Sequence, residues 1–453
     1  MVASGSRWRL FAQRSAVLAA RGIIVAAGAV VTAPPARAQT LDAATFRALI
    51  ESPKLKADQA RQDAARQDLK AARLAILPTI TGDIDWTVAG SITARPSFGP
   101  PIPPRSTVVD AVLSQPILDG FRRMNEIGRA AAAAAAGSFA LADTGQQVRL
   151  DTITAYLAVL RDRAIVTLRE RSITNLANVL KSTRARFDGG ETTKTDIAQA
   201  AGRLEQARAE LDRAKGDLAA SSAEFERLVG TRPGTMSPSP LPAALLPRSA
   251  QEAARLAAAC NPKIGKADFT AVAAERAADV AAGELAPTAD LLVSRAINYG
   301  YSASIDRLDT FAVKLRVRVP LFEPAAFPKA GAARAVARQR HYEAVDTRDG
   351  VVAAARTAFA RYQAGTARAS SLSKQIEYVR AALVGVVREA QGGQRTVLDV
   401  LNAEAEAVNA EVALAIARYE RDAAAYALLA SVGRLIDPVQ FAQRSEKTRS
   451  SER

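Results

Sequence analysis

Residues Arg388–Ala403, REAQGGQRTVLDVLNA, echo Arg186–Ala200 about two hundred positions earlier. Gly189 and Gly190 answer to Gly392 and Gly393, Thr193 to Thr396, Asp196 to Asp399 and Ala200 to Ala403, all at one offset. Pro116 answers to Pro320 at nearly that offset, while Ser52-Pro53-Lys54 and Pro78 answer to Asn261-Pro262-Lys263 and Pro287 at a slightly larger one. Landmarks kept in order over such a length point to one long unit present twice, with a short indel between segments. The units run over about 41–230 and 250–435, and the proline-rich Pro233–Pro247 reads as their connector. Chance likeness between alanine-rich helices is the competing explanation.

The first residues stand apart from both units. Arg7, Arg9 and Arg14 form a basic head, Gly22–Val31 is an unbroken apolar run, and Ala36-Arg37-Ala38 offers the small residues a signal peptidase accepts. Residues 1–38 therefore read as a secretory leader cut before Gln39. An anchoring helix is the rival, but the apolar run is about ten residues where a span needs about twenty. No later segment reaches that length without charges, which leaves an exported soluble protein or a β-barrel. Cys260 is the only cysteine, so there is no disulfide within the chain, no thiolate metal cluster and no cysteine at the cleavage site to carry lipid. The formal charge of +15 loses five arginines with the leader and falls near +10. Those arginines that remain are interleaved with Asp and Glu, and aromatic residues are scarce, so the balance reads as a solvated helical surface and not a nucleic-acid face.

Helix dominates the pattern. No proline occurs from Asp119 to Phe187, and Ile153, Tyr156, Leu157, Leu160, Ala164, Leu168, Ile173, Leu176 and Leu180 recur at three- and four-residue spacing. That predicts one amphipathic helix of up to about sixty-five residues, near 100 Å long. Asp196–Leu228 repeats the pattern and would run back alongside it; a similar helix from Gly331 to Ala390 would turn at Gly392-Gly393 and return through Asp399–Ser431. Helices of this length far exceed globular ones and are not stable alone, so they must pack as coiled coils. The alanines, Ala130–Ala136 among them, either permit close helix approach or simply favour helix. At the two turns the glycine pairs supply backbone freedom where a helix must end. Thr195 or Asp196 is placed to cap the first returning helix, and Thr396, with Asp399 three residues on, to cap the second in a capping-box relation. A purely structural role as helix-start residues accounts for both aspartates.

Strands are few but well marked. Between Pro78 and Gly90, Ile80, Ile84, Trp86 and Val88 fall on one face and Thr79, Thr81, Asp83, Asp85 and Thr87 on the other. Thr107–Leu113 alternates in the same way, with Val109, Ala111 and Leu113 on one side. Leu291, Val293, Ile297, Tyr299 and Tyr301 share a face broken only by Arg295, and Phe311, Val313, Leu315, Val317 and Val319 stand opposite Ala312, Lys314, Arg316 and Arg318. Each segment is about ten residues, the length that crosses an outer membrane when tilted. Loops rich in Pro, Gly and Ser, such as Ala94–Arg105, join each pair. Four strands cannot close a barrel, so membrane strands here require several chains in one barrel, continuous with a helical tube. The polar faces, with Asp83 and Asp85 against Lys314 and Arg316, suit a water-filled lumen. The alternative for the same alternation is a soluble antiparallel hairpin packed on the helices.

The tandem units, the LPTI that opens the first strand pair, the strand ends LSQPILDG and LRVRVPLFEP, and the hairpin segments ARFDGGETTKTDIAQA and GGQRTVLDVLNAEAE resemble the TolC-like outer membrane factors, the trimeric efflux and secretion channels, over almost the whole mature length. The resemblance implies an α+β membrane protein: a trimeric twelve-stranded β-barrel, four strands per chain, continuous with a long periplasmic α-helical coiled-coil barrel, each chain an internal two-fold repeat. Mapped on this chain it gives a signal peptide over 1–38, the N-terminal helix of repeat 1 over 39–77 and strand pair 1 over 78–118. The first long hairpin takes 119–230; linker, equatorial segment and first helix of repeat 2 take 231–286. Strand pair 2 takes 287–322, the second hairpin 323–432 and the C-terminal equatorial segment and tail 433–453. The equatorial layer would come from about Val229–Ala259 and Gly433–Phe441.

The mechanism implied is passive passage in the outer membrane, driven by an inner-membrane ABC or proton-driven exporter through a periplasmic adaptor that engages the tips, here Gly189, Gly190, Thr193, Gly392, Gly393 and Thr396. The periplasmic entrance would involve Asp196 and Arg395 as a charge pair, with Asp399 matching the first of two constriction carboxylates. The second position is Asn402, and Ala390 replaces the tyrosine expected at the first-hairpin contact, so a single Asp399 ring would be a weaker electronegative trap. Gly120 keeps the turn glycine after the first strand pair, whereas Pro324 takes its place in the second.

Nothing argues for an enzyme, a cofactor or a metal. The one histidine, His341, sits in a helical segment; Gly392-Gly393 lacks the lysine-serine partner of a phosphate loop; Glu404 and Glu406 lie two apart and do not share a helix face. Against the channel stand two structural alternatives, a non-channel periplasmic coiled-coil adaptor or scaffold and a secreted adhesin-like trimer. Drug efflux, metal efflux and type I protein secretion are not separable, because cargo is chosen mainly by the inner-membrane partner.

Overall fold

The computed structural model describes residues 39–88, 105–238, 240–300 and 306–435. The expected leader, the Ala94–Arg105 loop as far as Pro104, the strand residue Tyr301 and the tail beyond Leu435 lie outside the described residues. The chain runs α1 (Leu41–Glu51), α2 (Pro53–Leu74), β1 (Thr79–Val88), β2 (Arg105–Asp119), α3 (Arg122–Asp188), α4 (Lys194–Val229), a 3-10 turn Ala243–Leu245, α5 (Ala250–Cys260), α6 (Pro262–Gly283), β3 (Thr288–Tyr299), β4 (Arg307–Arg318), α7 (Ala326–Gln391) and α8 (Val397–Ser431).

The Ser-Pro-Lys and Asn-Pro-Lys landmarks are helix starts. Ser52 Oγ accepts from the Leu55 amide and Asn261 Oδ1 from the Lys263 amide, while Pro53 and Pro262 occupy the first helical position, where a missing N–H costs nothing. The 67-residue α3 and 66-residue α7 are each about 100 Å long. α3 begins at Arg122 and not at Asp119, because Gly120 (φ 66°) and Phe121 (φ 61°) are both left-handed and break the helical path. Glycine is required at 120 for a second reason: a Cβ there would meet the Gly283 carbonyl oxygen and Ala286 Cβ at 2.6 Å, where the chain leaving β2 crosses the end of α6. α7 begins at Ala326, ahead of the expected Gly331, since Pro328 falls in the first turn and is tolerated there.

Packing follows the apolar stripes. α3 lies against α2, α6, α4 and α8, and α7 against α5, α6 and α8. The largest core joins Leu41, Ala48, Ile153, Tyr156, Phe225, Met236 and Leu429 across α1, α3, α4, the connector and α8. A second surrounds Ala253, Ala257, Ile264, Ala355, Phe359 and Leu428. Tyr156 is fully buried, and its hydroxyl lies 2.7 Å from the carbonyl oxygens of both Gln39 and Ser237, tying the connector to α3. Arg163 adds donations to the carbonyls of Pro233 and Gly234.

The four strands form one antiparallel sheet in the order β1-β2-β3-β4. Ile80, Leu113, Val293 and Val313 mark one row of its register. β2 continues past the alternating Thr107–Leu113 to Asp119 through a register shift between Pro116 and Leu118, the irregularity a strand proline without an N–H imposes. One face is apolar and uncovered: Ile80 is 74% exposed, Ile84 73%, Trp86 69% and Phe311 70%. Among the described residues no helix is long and apolar enough to cross a membrane.

Candidate functional site at the hairpin tips

The α3–α4 and α7–α8 turns are built alike. In each, the first glycine ends the helix in right-handed conformation and the second turns left-handed, Gly190 at φ 82° and Gly393 at φ 76°. The Glu191 amide donates to the Arg186 carbonyl and the Gln394 amide to the Glu389 carbonyl, closing the same Schellman turn twice. Gly190 and Gly393 have open space around them, so only their backbone conformation calls for glycine.

The returning helices start in matched capping boxes. Thr193 Oγ1 accepts from the Asp196 amide, and Asp196 Oδ2 accepts from the Thr193 amide at 2.9 Å and its hydroxyl at 2.8 Å. Thr396 and Asp399 repeat this at 3.0 and 2.8 Å. The expectation of Thr195 or Asp196 as the first cap is corrected: Thr193 is the cap, because its extended backbone frees the hydroxyl for the third amide while Asp196 is already inside the helix. The backbone amide and hydroxyl of Thr193 hold the Asp196 carboxyl below the ordinary range, with Arg186 assisting. The hydroxyl and amide of Thr396 do the same for Asp399, with Arg395 assisting.

A carboxyl depressed on folding contributes stability that is complete above its unfolded pKa, about 3.9, and is lost as pH falls through the lower folded value. Amide exchange at both tips should therefore be constant from neutral pH to about 5 and, after correction for intrinsic rates, accelerate below about 4. Thr193→Ala and Thr396→Ala should each cost about 1 kcal/mol of local helix stability and weaken that acid-dependent step, since the backbone amides at 193 and 396 still donate to the aspartates, leaving the global melting temperature unmoved. Tip exchange that does not respond to either alanine would refute the capping role.

Within one chain the geometry does not bring Asp196 and Arg395 together. Asp196 is engaged by Thr193, and Arg395 Nε donates to Glu389 Oε2 at 2.9 Å, across its own turn. The hairpins meet through other residues. Arg186 reaches the Ala390 carbonyl at 3.4 Å, Arg203 the Asn402 amide oxygen at 3.3 Å, and Asn175 Nδ2 donates to the buried Glu404 at 2.6 Å. Beneath them Leu176, Leu180, Ala200, Leu204, Val397 and Leu401 form one apolar cluster shared by both hairpins. Glu404 was legible in principle: Val397, Leu401, Glu404 and Val408 fall on one heptad seam, where a lone carboxylate has to find a partner.

At the sheet, Asp83 and Asp85 lie on edge strand β1, and Lys314 and Arg316 on the opposite edge strand β4, with β2 and β3 between. The expected opposition of these charges therefore does not occur inside one chain, where Asp83 instead pairs in register with Asp110. Among the described residues no cluster of His, Cys, Asp or Glu could hold a metal ion.

A family profile described as "Outer membrane efflux protein" matches residues 46–231. The outer membrane efflux protein BepC of Brucella suis is 29% identical over 431 residues, covering 91% of this chain and 89% of BepC. The alkaline protease secretion protein AprF of Pseudomonas aeruginosa is 22% identical over 391 residues, covering 82% and 80%. The solved outer membrane protein VceC of Vibrio cholerae superposes with a TM-score of 0.73 at 19% identity, over 87% of this chain and 96% of that one. Long paired helices with matched capped turns, a four-stranded sheet bare on its apolar side, and likeness of sequence and fold along nearly the whole chain agree: residues 46–231 match the outer membrane efflux protein family, and the chain as a whole is similar to an outer membrane efflux protein in sequence and to a solved outer membrane protein in fold.

Proposed function

We propose that three copies of this chain form one passive exit duct through the outer membrane, with a large periplasmic portion. The observation that carries it is the sheet: its apolar face is bare, and among the described residues no strand lies along the outer edge of β1 or of β4. Leaving large apolar side chains in water forgoes about 1.5–3 kcal/mol each, and lipid removes that penalty. Closed membrane barrels begin at about eight strands, so four require other copies; three give twelve. Pairing β1 of one copy with β4 of the next would set Asp83 and Asp85 beside Lys314 and Arg316 on the lumen side, which restores the opposition absent within a chain. The order helix-helix-strand-strand-helix-helix, run through twice, supports reading the chain as a duplication.

The long helices would continue the barrel as a periplasmic tube. Its tips, at Gly189, Gly190, Thr193, Gly392, Gly393 and Thr396, would receive a periplasmic adaptor, and an inner-membrane ABC or proton-driven exporter would supply the energy. Asp196, Arg395, Asp399 and Asn402 would form the entrance, with Asp196 and Arg395 meeting, if at all, between copies. The chain performs no chemistry on its cargo. BepC is named for efflux and AprF for alkaline protease secretion, and the cargo of this chain is taken as small molecules or proteins.

The test is mobility and conductance of the mature chain from detergent-solubilised outer membrane. A heat-dissociable trimer that conducts in a planar bilayer, with cation selectivity lowered by Asp399→Asn, is the expected result. A monomer or dimer released without detergent would sink the barrel and favour a periplasmic coiled-coil scaffold.

A further inference from the structure

Apart from Thr107 and Gln115, the polar residues on the bare face of the sheet gather at one place. Arg295 on β3 shares that face with Val293 and Ile297, and Arg307 and Asp309 on β4 share it with Phe311. Arg295 takes both oxygens of Asp309, Nε to Oδ1 at 3.2 Å and Nη2 to Oδ2 at 2.8 Å. Arg307 comes no closer to that carboxylate than 3.9 Å, and its guanidinium sits 5.7 Å from the centre of the Tyr299 ring, its partner in register. The cluster lies at the end of the sheet away from the helices, beside the Gly300 to Asp306 hydrogen bond that closes the β3–β4 ladder.

Two guanidiniums share one carboxylate, and that carboxylate is spent on Arg295. Arg307 thus presents a net positive charge and planar donors on a surface that is otherwise hydrocarbon-facing, steadied by an aromatic ring. A solvated ion pair explains Arg295 and Asp309 but gives no reason for a second arginine there. The ligand that fits has a fatty body to lie on the apolar face and a phosphate at its top to accept from a guanidinium fork. From this geometry we propose that Arg307, with Arg295 behind it, holds the phosphate of a phosphorylated glycolipid of the outer leaflet. The proposal rests on the sheet being a membrane barrel with its turn ends outward.

The experiment uses the intact trimer in mild detergent and native mass spectrometry, with bisphosphorylated lipid A as the probe and the same lipid stripped of its phosphates, or inorganic phosphate, as controls. Arg307→Gln should weaken lipid A retention about fivefold. Asp309→Asn frees Arg295 and should strengthen it, a direction that loss of a merely structural ion pair would not produce. The dephosphorylated lipid should bind no better to wild type than to Arg307→Gln, and inorganic phosphate should fail to compete at equal concentration. Equal retention by wild type and Arg307→Gln, weaker retention by Asp309→Asn, or full competition by inorganic phosphate would each overturn the lipid site. Those outcomes leave the channel standing, because all are read on a detergent-extracted trimer; recovery of the chain without detergent would instead remove the membrane reading on which the site depends.

Discussion

Tyr156→Ala is expected to cost about 3–5 kcal/mol and to abolish the folded state at physiological temperature. Tyr156 is fully buried, packs against Phe225 with ring centroids 6.2 Å apart, and belongs to the core that joins α1, α3, α4, the connector and α8. Truncation opens a cavity where these five elements converge, and the surrounding core cannot collapse without moving a long helix. It also strands the Ser237 carbonyl that the hydroxyl serves and leaves the Gln39 carbonyl only the Ser237 amide at 3.4 Å. Tyr156→Phe keeps the volume and removes only the hydroxyl, so its cost should be about 1–2 kcal/mol. Thermal unfolding of the purified protein separates the two. An alanine variant that melts with the wild type would mean that the core is organised elsewhere.

The second large effect separates adjacent residues of one strand. Ile84→Arg puts a charge on the bare apolar face and should cost about 2–4 kcal/mol per chain if the position lies near mid-bilayer. Asp83→Arg, one residue away on the opposite face, should leave assembly intact and alter ion selectivity alone, and it removes a like-charge register pair with Asp110. The measurement is the fraction of each variant recovered as heat-dissociable trimer from outer membrane. Equal recovery would show that the face of β1 does not meet lipid.

What the sequence made legible was periodic. Alternation at Ile80, Ile84 and Trp86, or at Phe311, Val313 and Leu315, marks strands because a pleated backbone sends successive side chains to opposite sides, and the structure places these strands where the alternation does. The long helices were likewise carried by repetition and by absence of proline. Ends were less legible. Phe121 joins the turn glycine Gly120 in left-handed conformation, which has no period, and the alternation that marks β2 stops at Leu113 because a bulge accommodates Pro116 beyond it. At the tips, Thr396 was read from the cap pattern, whereas Thr193 lost to the neighbouring Thr195 and Asp196 although its own echo, Thr396, pointed to it. Contacts between hairpins, such as Asn175 to Glu404 and Arg203 to Asn402, depend on how two helices are rotated about their axes, and one strand of sequence does not state that rotation.

The middle pairing of the sheet, β2 on β3, joins residues as far apart in the chain as Leu113 and Val293. A two-stranded hairpin is marginal by itself, so β1–β2 and β3–β4 must each wait for the other. Loop-closure entropy makes that wait long unless something else first holds β2 and β3 at the same place. The crossing of Gly120 over Gly283 does so, since it locks the chain leaving β2 to the end of α6 immediately before β3. Helix docking thus sets the clock for the sheet: a bulkier residue at 120 or 283 should slow refolding, and the delayed chains would carry unpaired strand edges through the periplasm, where they are open to any other chain with an edge to offer.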